Sequence, residues 1–380
     1  MANPTLVSQN AAPVDSYASN TTKDIRVVET TTRSTQSPST RGPNDNVCFT
    51  LIQQSLRSRG FSKETIDIIL QSWRPSTKKQ YASSIEKWLR FCTKRAVDPV
   101  HATVTVAMEF LTKLVHSGAK YSTVNTARCA LSSLLWSTSD NKTQFGSHPL
   151  VIRFMRGLFN LKPQYPRYSH TWDVGILLRY VSKMEPLQSI ALKQLTYKLI
   201  CLCALTTAQR AQTLSLFDIS NMKVRNKQVC IKITDLIKTF KPGKPQPQVI
   251  LSAYPHDKSV CVMRTLLEYL KRTRSFRGSK SKLFLSYTVP HKEIGTATVS
   301  RWLKQSLTEA GVDVSEFKAH SFRTASTSAA ANKGVPINLI LQTAGWASST
   351  TFAKFYNRSD SILCSEGAQS QFSQAILSQK

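Results

Sequence analysis

Apolar positions recur at helical spacing through most of the chain. Ile66, Ile69, Leu70 and Trp73 fall on one helical face, and Tyr81, Ile85, Trp88, Leu89 and Cys92 on another that follows Pro75. Val104, Ala107, Leu111 and Leu114 form a third stripe. Val124, Ala127, Leu131, Leu134 and Leu135 form a fourth, with Ser122 as its expected N-cap. A further helix is predicted over 149–161. The helical pattern starts at Phe61, and residues 60–161 read as an all-helical domain built by packing amphipathic faces. Residues 1–47, rich in Ser, Thr, Asn and Pro and without hydrophobic periodicity, are expected to form a disordered tail.

The segment KPQYPRYSHTW (162–172) carries two prolines and mixed polarity and reads as an interdomain linker. Residues 173–206 read as helices ending in a strongly apolar stretch. QVCIKIT (228–234) and PQVILS (247–252) are short β-branched runs flanking KPGKPQ, the pattern of a hairpin with a long basic tip. Helical periodicity resumes over 259–274 and 296–310, then as short helices over 317–356 broken at Gly334-Val335-Pro336 and at Gly345. The fold class is therefore mainly α with a small β-sheet. A second, α+β domain is expected over 173–360, followed by a C-terminal tail, 361–380, with a short apolar face of Phe372, Ile376 and Leu377.

Charge narrows the partner. The 380 residues carry a formal net charge of +29. The 1–47 segment is neutral, with Lys23, Arg26, Arg33 and Arg41 offset by Asp15, Asp24, Glu29 and Asp45, so the rest of the chain holds all of the excess. A folded region this basic favours a polyanion, because neutralising phosphates releases counterions and gives affinity regardless of sequence. No run approaches the roughly 18 apolar residues of a membrane helix, so no membrane partner is expected. The N-terminus lacks the basic start and apolar stretch of a secretory signal. The eight cysteines are scattered without a C-x-x-C pair, so they read as free packing thiols and no metal site is expected.

Several residues of the second domain have chemical potential that each alone leaves open. Arg210 lies in ALTTAQRAQTLSL, where it either ties down a helix end or meets an anion. Lys238, in DLIKTFKPGKP, shares the predicted hairpin with Lys241 and Lys244. His320 and Arg323 form H-S-F-R, an i, i+3 pair on one helical face. Trp346 and Tyr356 lie in AGWASSTTFAKFYNRS, where core packing is the default for aromatics. The run KRTRSFRGSKSK (271–282) holds six basic residues and reads equally as a phosphate contact, a nuclear-import signal or an exposed loop.

Taken in order, the Arg, the hairpin Lys, the His-x-x-Arg, the Gly-Trp and the late Tyr resemble the tyrosine recombinase (phage integrase) family over roughly residues 60–360. The strings TTAQRAQTLSL, IKT, AHSFR, AGW and FY are most similar to recombinases of DIRS-like eukaryotic mobile elements. The resemblance implies an N-terminal helical, SAM-like core-binding domain at 60–161 and a catalytic domain at 173–360. It also implies DNA strand cleavage and rejoining with no cofactor. Tyr356 would be the nucleophile, forming a 3′-phosphotyrosyl bond and freeing a 5′-hydroxyl. Arg210 and Arg323 would clamp the non-bridging oxygens, Lys238 would protonate the leaving oxygen, and His320 and Trp346 would assist at the phosphate. The position three after Arg210, acidic in many members, is Thr213.

The resemblance further implies double-stranded DNA gripped by both domains. Arg74, Lys78, Lys79, Lys120 and Arg128 are the expected phosphate contacts of the first domain, and Lys241 and Lys244 those of the hairpin. A homotetramer on DNA is implied, with segment 361–380 as a helix exchanged between subunits. Location would be nuclear for a eukaryotic element and cytoplasmic for a prokaryotic one. A non-catalytic DNA-binding protein derived from such an element, and a type IB topoisomerase-like enzyme, stay open as alternatives.

Overall fold

The computed structural model describes residues 43–355, apart from 136–143, 164–169, 239, 241–242, 244–245 and 347–348. Residues 1–42 of the expected tail, part of the expected linker, Lys241, Lys244, Tyr356 and the 361–380 segment lie outside the described residues. The chain divides into two compact units, at 1–164 and 165–380.

The first unit is helical: α1 (Pro43–Arg57), α2 (Lys63–Gln71), α3 (Pro75–Arg95), α4 (Val104–His116), α5 (Tyr121–Leu134) and α6 (Pro149–Leu161). Ser62 and Thr103 cap α2 and α4 by accepting from the third backbone N–H beyond them. Pro75 opens α3 at the first helical position, where its missing N–H costs no hydrogen bond. The core is the predicted set of stripes. Trp88 lies wholly inside, its ring packed on Phe91 and Phe110, its indole N–H donated to the Pro99 carbonyl at 3.0 Å. α5 corrects one expectation: it starts at Tyr121 with Lys120 at the N-cap and no side-chain cap, which places Ser122 inside the first turn.

A second correction is α1, which begins at Pro43, ahead of the Phe61 start read from periodicity and inside the segment whose composition reads as tail. It belongs to the core through Ile52 and Leu56, one turn apart, and through Ser55, whose hydroxyl donates to the Leu134 carbonyl at 3.0 Å. Arg59 donates to the same carbonyl at 3.2 Å, closing the C-terminal end of α5.

The second unit wraps around α8 (Leu192–Thr207), which is buried on nearly every side. α7 (Val174–Ser182) precedes it. A short α9 (Ala211–Ser215) follows, and then an antiparallel sheet of β1 (Met222–Arg225), β2 (Gln228–Lys232) and β3 (Gln248–Ser252) in that order. α10 (Val262–Arg277), α11 (Thr296–Ala310) and α12 (Ser321–Asn332) pack on α8, and α13 (Ile337–Ala344) and α14 (Ser349–Phe355) are the last described elements. The apolar run of α8 includes one buried charge. The Lys198 ammonium donates to the Met184 carbonyl and to Glu185, which in turn accepts both nitrogens of the Arg264 fork. The mainly helical class with one small sheet is as the pattern predicts, β1 being the strand it lacks.

The basic run 271–282 is a bracing element over much of its length. Arg272 donates to the Leu187 and Ile190 carbonyls. Arg277, 6% exposed, holds the Lys282 and Leu283 carbonyls, and Lys282 pairs with Asp235 at 3.0 Å. An exposed loop is therefore not what this composition forms. Cys92, Cys129, Cys201, Cys203, Cys230 and Cys261 are free thiols. Burial pushes the Cys201 thiol up to about 12, away from thiolate chemistry. Among the described residues no group of three metal-ligating side chains occurs, and no helix is long and apolar enough to cross a membrane.

Candidate active site

Three helix ends meet around one guanidinium. α8 terminates at Thr207, and Ala208 follows in the left-handed region with φ +49°. Two residues on, Arg210 sits at the N-cap of α9 with extended backbone, half-buried. Arg323, third residue of α12, is 1% exposed. Its Nη1 donates to the Ala208 carbonyl and its Nη2 to the Ala344 carbonyl, both at 2.6 Å. These carbonyls belong to the closing turns of α8 and α13, which have no later helical N–H to accept from. A cation is electrostatically suited to both, since helix C-termini carry partial negative charge.

The same guanidinium lies 4.2 Å from the centroid of the Trp346 ring, a cation–π distance. Trp346 follows Gly345, whose φ of +66° ends α13 and turns the chain back. On its other side Trp346 meets Phe352 of α14, which is 2% exposed. Arg323 thus touches the element that leads into Arg210 and the element that leads toward Tyr356. Tyr356 itself is one residue beyond the described part of α14.

Two residues that sequence reasoning passed over hold this arrangement. The Gln209 side-chain amide donates to the Thr343 carbonyl at 2.8 Å, a second tie between the end of α8 and the end of α13. Trp172 donates its indole N–H to Ser321 at 2.8 Å and packs edge-on against Phe322, fixing the first turn of α12. Their partners lie 134 and 149 residues away in sequence, and no local spacing announces them.

His320 and Arg323 are separated by environment. His320 is the exposed N-cap residue of α12, whereas Arg323 points inward, so the i, i+3 pair is divided between solvent and interior. Lys238 is exposed and sits just after the buried Ile237, in a turn closed by Phe240 N–H donating to the Ile237 carbonyl at 3.0 Å. The root of this turn is tied at Asp235, which receives the Lys282 ammonium. Lys282 also lies 3.6 Å from Asp218. Burial works to raise the Asp218 carboxyl, but hydrogen bonds from Ser220 and Ser281 and the Lys282 charge outweigh it and hold the group below the ordinary aspartate value. Burial likewise works to lower Lys282, and its two carboxylates outweigh that and raise it. Thr213, the residue three after Arg210, is buried.

In the first unit, Arg74 is the half-buried N-cap residue of α3, and Lys79 and Lys120 are exposed. Lys78 is half-buried, its ammonium 5.7 Å from the Phe49 ring. Arg128 is turned inward, donating to the Gly146 carbonyl at 2.7 Å and to Asn125 at 3.0 Å, so it braces α5 against the 145–147 turn.

Two family models match the sequence: the phage integrase family over residues 181–361, and the phage integrase N-terminal SAM-like domain over residues 63–144. A comparison with curated proteins finds no match. Among solved structures, the XerH site-specific recombinase bound to its palindromic difH substrate is similar at a TM-score of 0.55 and 14% identity, covering 82% of this chain and 93% of that one. The Tn1549 transposon integrase in complex with transposon right-end DNA is similar at 0.50 and 14% identity, covering 85% and 98%. At such identities these likenesses show a shared fold, and together with the two family models they place both units: the chain belongs to the phage integrase family, the tyrosine recombinases.

Proposed function

We propose that this chain is a DNA strand-transfer enzyme, a site-specific recombinase or integrase of a mobile element, with Tyr356 as its nucleophile. The observation that carries the reading is the single guanidinium of Arg323, joined to the closing turns of α8 and α13 and to the face of Trp346. Chain segments far apart in sequence are held there around one buried cation.

In this reading the phenolate oxygen of Tyr356 attacks the scissile phosphorus. The bond to the 5′-oxygen breaks, and Lys238 supplies the proton that makes the leaving group a hydroxyl. The phosphodiester energy is kept in the phosphotyrosyl bond, so a partner strand's 5′-hydroxyl reverses the step without a cofactor. Arg210 and Arg323 stabilise the charge of the pentacoordinate transition state, and the two carbonyls that grip Arg323 set the orientation of its fork. A free phenol ionises near pH ~10, so a cationic pocket is what makes it competent at neutral pH. His320 assists proton transfer or donates to the phosphate, and Trp346 donates its indole N–H.

Double-stranded DNA is the proposed partner, with Arg74, Lys78, Lys79 and Lys120 as phosphate contacts of the first unit and a homotetramer as the working assembly. Origin in a DIRS-like element and a nuclear location complete the proposal. The SAM-like N-terminal match favours a recombinase over a type IB topoisomerase. One observation favours a second reading, a DNA-binding protein without activity: two Arg323 nitrogens are engaged by backbone carbonyls and not turned to solvent.

A nicked duplex carrying the terminal sequences that flank the gene decides between the two. The enzyme reading expects covalent trapping of wild-type protein, abolished by Tyr356→Phe with binding intact. Binding without trapping by wild type leaves the second reading.

A further inference from the structure

The three-stranded sheet has one face on the core and one turned outward. Val229, Ile231, Val249 and Leu251 point in and are buried. The register fixes what points out, since directly opposed residues share a face. Lys223 opposes Cys230, which opposes Ile250; Arg225 opposes Gln228, which opposes Ser252; Lys232 opposes Gln248. This outer face is not flat. With the 220–222 segment at one end it encloses a hollow of about 570 Å³.

The hollow is lined by three cations, Lys223, Arg225 and Lys232, interleaved with amides, and by no carboxylate. A face that is merely solvated is expected to mix both signs. Here the like charges are close. Lys223 and Arg225 are two apart on one strand, about 6.8 Å. Lys232 is the diagonal neighbour of Lys223, at about 7–8 Å. Mutual repulsion works against folding of the free protein and turns into attraction once a polyanion lies across the rows.

We infer that this outer face is a nucleic-acid contact surface, taking the sugar–phosphate backbone of a duplex. The inference rests on the DNA-acting reading above and adds a surface to it. Repeating phosphates match a row of cations at strand spacing, the Arg225 fork matches phosphate geometry, and Gln228 and Gln248 supply the neutral donors that sugar and phosphate oxygens accept.

The test is the salt dependence of binding by the full chain to a mixed-sequence duplex. Each lost phosphate contact lowers the slope of log K against log salt by about 0.9, so Lys223→Ser/Arg225→Ser/Lys232→Ser should flatten it by roughly 2.7. The control Lys183→Ser/Arg301→Ser/Lys304→Ser, which removes three exposed cations off the sheet, should leave the slope nearly unchanged. Removing like charges should leave the melting temperature of the sheet variant equal to or above that of wild type. If the triple variant does not fold, Lys223→Gln and Lys232→Gln singly should each flatten the slope by about 0.9. A sheet variant with the wild-type slope overturns the inference, as does an equal loss in the control, which would mark net charge and not a site. Binding of poly-L-glutamate lost in the variant while the DNA slope stays intact also overturns it and assigns the face to an acidic protein. Wild-type protein that does not bind DNA at all is a different result: it removes the functional reading itself.

Discussion

The guanidinium of Arg323 and the carbonyl of Ala208 are joined at 2.6 Å although 115 residues separate them. With the matching bond to Ala344, this makes Arg323 the clasp between the end of α8 and the end of α13. Removing it leaves two carbonyls at helix ends without that donor. Arg323→Met should destabilise the protein by about 2–6 kcal/mol, at about 1–3 kcal/mol per buried carbonyl left unpaired. Arg323→Lys keeps the charge but not the fork, so it should recover only part of the loss. Urea denaturation monitored by tryptophan fluorescence measures both. A stability of Arg323→Met equal to wild type would show that the two bonds do not hold the fold.

Gln209 makes the second tie between the same helix ends, through the Thr343 carbonyl, and it is the residue just before Arg210. Gln209→Ala should cost about 1 kcal/mol of stability. If Arg210 acts on the phosphate, the variant should also slow single-turnover cleavage about tenfold, because loss of orientation at a transition-state contact is felt in rate. Gln209→Glu cannot donate to Thr343, so it should resemble Gln209→Ala in rate. Cleavage at the wild-type rate in both variants would remove Gln209 from the site.

Which parts of this molecule were legible beforehand follows from the range of the forces involved. α11 runs over Thr296–Ala310, as its periodicity predicts, because one wet face and one dry face impose a 3.6-residue rhythm that needs no partner to be recognised. β1 was not legible: Met222–Arg225 is short, and its pairing with β2 supplies the strand character that its own sequence lacks. α1 was hidden by polar residues between Ile52 and Leu56, and its place is set by bonds to Leu134. At the site, the residue types were readable but their environments were not. The H-S-F-R spacing suggests two groups on one face, whereas carbonyls 115 and 21 residues away draw Arg323 inside while His320 stays exposed. The same holds for Arg128 and Arg277, basic residues that composition assigns to a polyanion and that the fold uses on its own carbonyls.

Lys282 and Asp218 set a pH window for the second unit. The folded-state value of Asp218 is depressed, so its stabilisation is full above the unfolded aspartate value of about 3.9 and is lost as pH falls through the folded value. The folded-state value of Lys282 is raised, so its stabilisation is full below about 10.4 and is lost as pH rises through the folded value. The melting-temperature difference between wild type and Lys282→Met should therefore be constant from about pH 5 to about pH 10 and shrink on either side. A difference that keeps growing toward alkaline pH would contradict the assignment.

The Lys282–Asp235 pair also tests the role given to Lys238. Asp235 lies between the buried Ile233 and Ile237, so the chain that reaches Lys238 is anchored by two apolar side chains and one ion pair. Asp235→Asn releases the ion pair without emptying the core. If Lys238 protonates the leaving 5′-oxygen, a looser root should slow cleavage about tenfold while DNA affinity stays within about twofold, since general-acid contributions of 10²–10⁴ depend on a positioned donor. A substrate with sulfur in place of the bridging 5′-oxygen leaves readily without a proton. On that substrate Asp235→Asn and Lys238→Ala should both cleave at near the wild-type rate. A defect in Asp235→Asn that persists on the sulfur substrate would mean that the pair supports the fold and not the acid. Full activity of Lys238→Ala on the natural substrate would move the acid to another residue.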